Sequence, residues 1–385
     1  MSRPSTEPLP GAPDPWAGSE MPRFRSRPPY VMTEMIAAEP ALAQRLVRRL
    51  REQDATERLA DAIKRAATKN RPVLLTGCGT SEHAAMAVAE LLTESLQPAA
   101  GREVRAISAL EALRRPLADG VLIGVSHEGG TTATNAALEA ARAAGATTAL
   151  ITVGTGSPGA AFADHVLATG EQDQSWCHTV GYLSPIVTGV VLASKIAGGR
   201  IDAVAIHALL DVAHDPRAAA DLAAGLTGVD RLIVTGAGRD HVTARELGLK
   251  VVEGARLPAE AIELESVLHG HLGAATRWTG LVVVATELGP PLQAQRLARV
   301  LDAARALSMP TAGLLAESVS AAIEPGLTPA GRIVLPQTGR VRGAAAALLA
   351  PLIPFQLLTE RLARARGVDP DTIGREDPAQ AAAHA

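Results

Sequence analysis

Two short runs that combine glycine with hydroxyl groups are where this chain can do chemistry. Thr76-Gly77-Cys78-Gly79-Thr80-Ser81 follows the apolar run 73–75, and Ser126-His127-Glu128-Gly129-Gly130-Thr131 follows the apolar run 121–125. A glycine turn at the carboxyl end of a buried strand aims backbone N–H groups and the next helix N-terminus at an anion, and nearby hydroxyls add donors for sugar or phosphate oxygens. The first run lacks both the GxGxxG spacing of a dinucleotide site and the Gly-Lys-Ser/Thr of a nucleotide P-loop, so nucleotides are disfavoured. Alone, such a run is at least as readily a tight turn with a helix N-cap. On one edge of a parallel sheet the two runs would converge, and that convergence favours a small-ligand site.

A second group lies downstream. Lys250 stands one helical turn before Glu253, so the two share a helix face. From the residues alone this pair reads as an ordinary surface ion pair. His269 follows Glu253 by 16 positions, and His269-x-His271 has no third ligand in a clear pattern, so no metal is expected. His178, in the polar stretch Trp176-Cys177-His178, reads equally as a ligand contact or a structural histidine.

The elements that position these residues recur. Thr235-Gly236-Ala237-Gly238 repeats the first glycine turn 159 positions later, and Ala285-Thr286-Glu287-Leu288-Gly289 repeats the second landmark at the same offset. Two landmarks at one spacing imply two copies of one α/β domain. The first copy keeps hydroxyls in its turns where the second has Ala237, Arg239, Ala285, Pro290 and Pro291, so the first is the expected sugar or anion binder. Short apolar runs at 73–75, 104–107, 121–125, 148–151 and 165–167, then at 232–235, 281–285, 311–315 and 332–335, alternate with helical stretches such as 82–96 and 132–144. That alternation predicts parallel sheets with crossover helices, an α/β fold.

The expected division is a disordered tail at 1–28, which holds seven prolines, a helical lead-in at 29–55, a first domain at 56–213, a linker at 214–220, a second domain at 221–366 and a C-terminal tail at 367–385. Apolar stretches at 182–193 and 344–358 are interrupted by Pro185, Pro351 and Pro354, which favours buried helices over membrane spans.

Composition narrows the class. Of 385 residues, 47% are hydrophobic, but only three Phe, three Trp and two Tyr are present, too few for a base-stacking surface. A net charge of −3 argues against a general polyanion binder, so neither nucleic acid nor membrane is an expected partner. Two cysteines without disulfide or zinc spacing, and no apolar segment at the start, suit a cytoplasmic protein.

The two hydroxyl-bearing turns and the tandem copies resemble the sugar isomerase (SIS) domain family, and from about Tyr30 onward the chain is similar to the isomerase half of the glutamine–fructose-6-phosphate aminotransferases. The resemblance implies two tandem SIS domains, each a parallel sheet flanked by helices, a sugar or sugar-phosphate ligand, no cofactor and a homodimer. It implies that Gly77, Cys78, Gly79, Thr80, Ser81, Ser126, His127, Glu128, Thr131 and His178 bind the sugar. Lys250-Val251-Val252-Glu253 matches the family's Lys-x-x-Glu stretch, which implies Glu253 as the base between adjacent sugar carbons, His269 as the ring-opening acid and Lys250 beside them. The implied activity is isomerase, deglycase or deaminase chemistry at C1–C2 of an amino sugar or sugar phosphate. A ketose–aldose isomerase and a non-catalytic sugar sensor are the alternatives.

Two departures bear on this. Glu128 stands where the family's loop has its second serine, and a carboxylate about 4 Å from a phosphate costs roughly 4 kcal/mol per charge pair at an effective dielectric near 20. After Lys250 the sequence holds no lysine, and Arg375 cannot form an imine because its guanidinium stays protonated. With no glutaminase segment either, glutamine-dependent aminotransfer is not expected.

Overall fold

The computed structural model describes residues 27–96 and 104–383. All but the last two residues of the expected disordered tail lie outside them. Helices α1 (Val31–Glu52) and α2 (Asp54–Thr68) lead into β1 (Val73–Gly77), α3 (Thr80–Leu96), β2 (Val104–Ser108), α4 (Ala109–Arg114), β3 (Val121–Val125), α5 (Thr132–Ala144), β4 (Thr147–Thr152) and β5 (His165–Ala168). Helices α6 (Val180–Ile196), α7 (Ala203–Ala213) and α8 (Pro216–Leu226) connect to β6 (Arg231–Gly236), α9 (Arg239–Ala255), β7 (Ala259–Glu263), α10 (Leu264–Val267) and β8 (Thr279–Ala285). Then come α11 (Pro291–Ala306), β9 (Thr311–Ala316), α12 (Glu317–Ala322), β10 (Gly331–Leu335), α13 (Gly343–Leu349), α14 (Leu352–Arg366) and α15 (Pro378–Ala383).

Both sheets are five-stranded and wholly parallel, one in the order β2-β1-β3-β4-β5 and the other β7-β6-β8-β9-β10. The order is the same in each. Strands β1, β3, β8 and β9 are buried along their whole length, as strands covered by helices on both faces must be. The glycine turns match in detail. A Cβ on Gly77 would lie 2.6 Å from the Ser81 backbone, and one on Gly236 would lie 2.7 Å from the Asp240 backbone. Gly79 and Gly238 take φ of 58° and 56°, a left-handed conformation that glycine adopts without cost.

One continuous aliphatic core joins the sheets through α1, α3, α6, α9 and α14. Gly189 lets α6 press on α3, since a Cβ there would sit 3.0 Å from Leu91 and Val88. The stretch 343–366 is long and apolar enough to cross a membrane by composition, but 78% of its apolar window is buried inside the fold and the chain breaks it into α13 and α14. It is a core element here.

Three expectations change. The linker expected at 214–220 shrinks to His214 and Asp215, because the Asp215 carboxylate caps α8 through Arg217 N and Ala218 N and Pro216 sits at its first position. Strand β7 was not foreseen, since Ala-Glu-Ala-Ile-Glu at a sheet edge lacks an apolar run. The segment after Gly367 is no loose tail: Asp371, fully buried, accepts N–H bonds from Val31 (2.7 Å) and Met32 (2.8 Å), and its carbonyl accepts one from Trp176 (3.1 Å). Asp371 thereby caps α1, whose own N-cap residue Tyr30 offers no side-chain bond.

Candidate active site

Adjacent strands β1 and β3 end at the same edge of the first sheet, so the turn from Gly77 to Thr80 and the turn from Ser126 to Thr131 lie side by side. Ser126 Oγ and Thr131 Oγ1 are hydrogen-bonded at 3.1 Å, and exposed Cys78 has its Sγ 3.8 Å from Thr134 Oγ1. The loop after β5 joins them. Within it, Asp173 accepts N–H bonds from Ser175 (3.1 Å), Thr179 (2.7 Å) and Gly181 (2.8 Å), which fixes the entry into α6.

Helix α9 crosses from the second sheet and brings its last two turns to this edge. Lys250, fully buried, donates to Thr80 Oγ1 (2.8 Å) and Glu253 Oε2 (2.9 Å) and sits 3.2 Å from Glu246 Oε1. Thr80 passes the bond on, donating to Glu246 Oε1 at 3.1 Å, while His83 Nδ1 lies 2.8 Å from Glu246 Oε2. An ionised carboxylate only accepts, so the His83 proton sits on Nδ1. Burial works against the charge on Lys250, but the carboxylates of Glu246 and Glu253 outweigh it and hold the ammonium above the ordinary lysine range. Burial likewise opposes ionisation of Glu246, yet Lys250 and the His83 hydrogen bond hold it below the usual carboxylate range. This is not the surface ion pair that the spacing of Lys250 and Glu253 alone suggested. Only Glu253 of the acidic pair reaches solvent, its side chain 24% exposed against 0% for Glu246.

The His127 and His178 rings meet at a tilt of 59° with centroids 5.2 Å apart. Burial depresses His178 to about 4, helped by Lys250, and depresses His127 to about 3, helped by His178. Both are therefore neutral near pH 7 and cannot act as cations toward a phosphate. His127 Nε2 accepts the Asp173 N–H at 2.8 Å, which puts its proton on Nδ1 and ties the ring to the loop that it supports. Glu128 is half-buried and leans toward Gln172, whose Nε2 donates to Oε1 at 3.4 Å. Burial pushes its carboxyl above the usual range.

His269 is not brought to this cluster within the chain. It follows β7 and α10 at the carboxyl edge of the second sheet, where its Nε2 meets Glu265 Oε1 at 2.9 Å with the side chain 68% exposed. Glu253 lies 14 residues along α9 from that edge, about 21 Å at 1.5 Å per residue. Among the described residues no group of three His, Cys, Asp or Glu side chains is placed to hold a metal. Sequence reasoning missed Glu246 and His83, although Glu246, Lys250 and Glu253 at i, i+4 and i+7 mark one helix face. Nothing local to Asp173 announces its role.

Residues 68–194 match the SIS domain family model. The chain is 33% identical over 319 residues to the glutamine–fructose-6-phosphate aminotransferase (isomerizing) of Symbiobacterium thermophilum, covering 78% of this chain and 50% of that protein. It is 31% identical over 234 residues to an Arabidopsis thaliana protein of the same name, 57% of this chain and 34% of the relative. The chain thus spans half or less of the length of these curated relatives. In fold it is similar to the C-terminal domain of glucosamine-fructose-6-phosphate aminotransferase from Francisella tularensis, with a TM-score of 0.76, 18% identity, and coverage of 91% of this chain and 99% of that one. Tagatose-6-phosphate ketose/aldose isomerase from Escherichia coli follows at 0.72 and 18% identity, covering 90% and 96%. Residues 68–194 are thus an SIS domain, in a chain homologous to the glutamine–fructose-6-phosphate aminotransferases and sharing the fold of the C-terminal domain of one of them.

Proposed function

We propose that this protein is an enzyme that moves a proton between C1 and C2 of an amino sugar, a glycated amine or a related sugar phosphate, with Glu253 as the base. The observation that carries the reading is the asymmetry of the buried network. Glu246 is consumed by three partners, whereas Glu253 has one oxygen bonded to Lys250, which also holds Thr80, and its side chain stays 24% exposed. A carboxylate oriented by a buried ammonium and open on one side is suited to taking a carbon-bound proton.

Imine formation by the protein has no support here. Lys250 is held charged, and a nucleophilic amine must be neutral. Imine chemistry would therefore use the substrate's own nitrogen, as in deglycation or deamination, and simple enolisation gives ketose–aldose exchange. The Ser126 and Thr131 hydroxyls and the N–H groups of their turn would hold the far end of the sugar. We place the protein in the cytoplasm. The test is solvent-deuterium exchange: incubation with fructosamine, glucosamine 6-phosphate and fructose 6-phosphate in D2O should label C1 or C2 of at least one. No label in any sugar would sink the enzyme reading and leave a sensor.

The separation of His269 from Glu253 supports a homodimer in which a second copy supplies the histidine. Mixing Glu253→Gln with His269→Asn subunits should then restore about a quarter of native activity, the statistical share of mixed sites carrying both native residues. Two inactive variants that stay inactive after subunit exchange would remove the shared site.

Glu128 bears on phosphate. Glu128→Ser should strengthen binding of a sugar phosphate relative to the free sugar by about tenfold, the equivalent of roughly 1.4 kcal/mol of relieved repulsion. Calorimetric titration of both ligands against both proteins measures this. A native protein that already prefers the phosphate, with no gain in the variant, would show that Glu128 does not face it.

A further inference from the structure

A cavity of about 340 Å³ lies between the two halves of the molecule, away from the catalytic edge. Its floor is apolar, made by Leu91 near the end of α3, Val190 of α6, Ile206 of α7 and Val341 in the loop after β10, each no more than 9% exposed. Glu94 on its wall follows Thr80 by 14 residues along α3, about 21 Å at 1.5 Å per residue. The cavity therefore stands at the far end of the helix whose near end forms the first glycine turn.

Three exposed arginines, Arg200, Arg340 and Arg342, meet two carboxylates, Glu94 and Asp202, around this floor. Both carboxylates are engaged. Glu94 accepts the Ala344 N–H at 2.8 Å and lies 3.8 Å from Arg239. Asp202 caps α7 through Val204 N and Ala205 N, each at 3.0 Å, and reaches Arg340 at 3.5 Å. Arg342 is held by its Nε, which donates to Gly339 O at 2.6 Å and leaves the outer N–H groups of the guanidinium to other acceptors. Among the described residues neither Arg200 nor Arg342 pairs with a carboxylate within 4.0 Å.

A cationic rim over an apolar floor matches a ligand that has both characters. A bare inorganic anion would satisfy the guanidinium groups and leave the floor in contact with water, whereas a neutral hydrocarbon would cover the floor and leave the arginines without an anion. The planar N–H fork of arginine pairs with a carboxylate through charge-assisted hydrogen bonds. Small-molecule sites run from about 300 to 1,000 Å³, so this cavity is near the lower end and fits a short chain or a single ring.

We infer that the cavity is a binding site for a small amphipathic carboxylate, its apolar body on the floor and its head on Arg200 and Arg342. Helices α3, α6 and α7 of the first half and the loop around Val341 of the second all line it, so the ligand touches both halves and ties them together. The site does not rest on the sugar chemistry proposed above.

Calorimetry with octanoate, hexanoate, octanol and sulfate tests this, each titrated into the native chain, the double variant Arg200→Gln/Arg342→Gln, and Ala193→Leu and Ala345→Leu, which fill the cavity from α6 and α13. The native protein should bind one octanoate, about tenfold more tightly than octanol. Hexanoate should bind more than about tenfold more weakly than octanoate, since each buried methylene contributes about fourfold, and sulfate should give no heat. The double variant should bring octanoate to the level of octanol. Each cavity-filling variant should weaken both by about tenfold or more, with thermal unfolding showing that it is folded. Equal native affinity for octanoate and octanol, a preference that survives in the double variant, or octanoate binding that neither filled cavity changes would each overturn the inference, as would no binding of octanoate at all.

Discussion

Glu253→Gln is expected to lower turnover by about a thousandfold while changing ligand affinity by less than about threefold. The carboxamide oxygen can still accept from Lys250, so the buried network keeps its geometry, and Glu246 still balances the ammonium. What the variant loses is the ability to take a proton. Steady-state kinetics and the rate of deuterium entry at C1 or C2 read the same step by different means, and both should fall together. Turnover near the native value would remove Glu253 as the base and direct attention to whichever group still exchanges the C–H proton.

Lys250→Met should cost about 3 kcal/mol of stability at pH 7, because it takes the buried ammonium from Glu246 and leaves it only the hydrogen bonds of Thr80 and His83. The pH dependence follows from the direction of the Glu246 shift. In the native fold this carboxyl titrates below its unfolded value, so its contribution is fully present above the ordinary carboxylate range and disappears as pH falls through the lowered folded value. In the variant the ammonium that outweighed burial is gone, the carboxyl titrates higher, and protonating it relieves the fold. The deficit of Lys250→Met should therefore shrink between pH 7 and pH 5, which urea unfolding at the two values would measure. A deficit below about 1 kcal/mol at pH 7 would show that buried Glu246 does not depend on the lysine.

Much of this architecture could be read from the residues. Short apolar runs mark nine of the ten described strands, and the central ones are apolar throughout because a strand covered on both faces must be. The 159-residue offset carried into coordinates, with Ser81 and Asp240 in equivalent contact with Gly77 and Gly236. Edge strand β7 escaped because half of its surface stays polar. The site was legible where its groups sit in one motif, as at Thr80–Ser81 and Ser126–Thr131. It was not legible where partners are far apart in sequence. Thr80 meets Lys250 across 170 residues, and Glu246 meets His83 across 163, and no local pattern encodes such pairings.

The clasp between Asp371 and α1 has a consequence for the order in which the protein matures. Its two ends are 340 residues apart in sequence, so α1 waits for its cap until about that many further residues have been made. The same clasp carries Arg375 and supports Trp176. Synthesis can thus complete both sheets and still leave the start of α1 uncapped and the Trp176 backbone N–H without its partner.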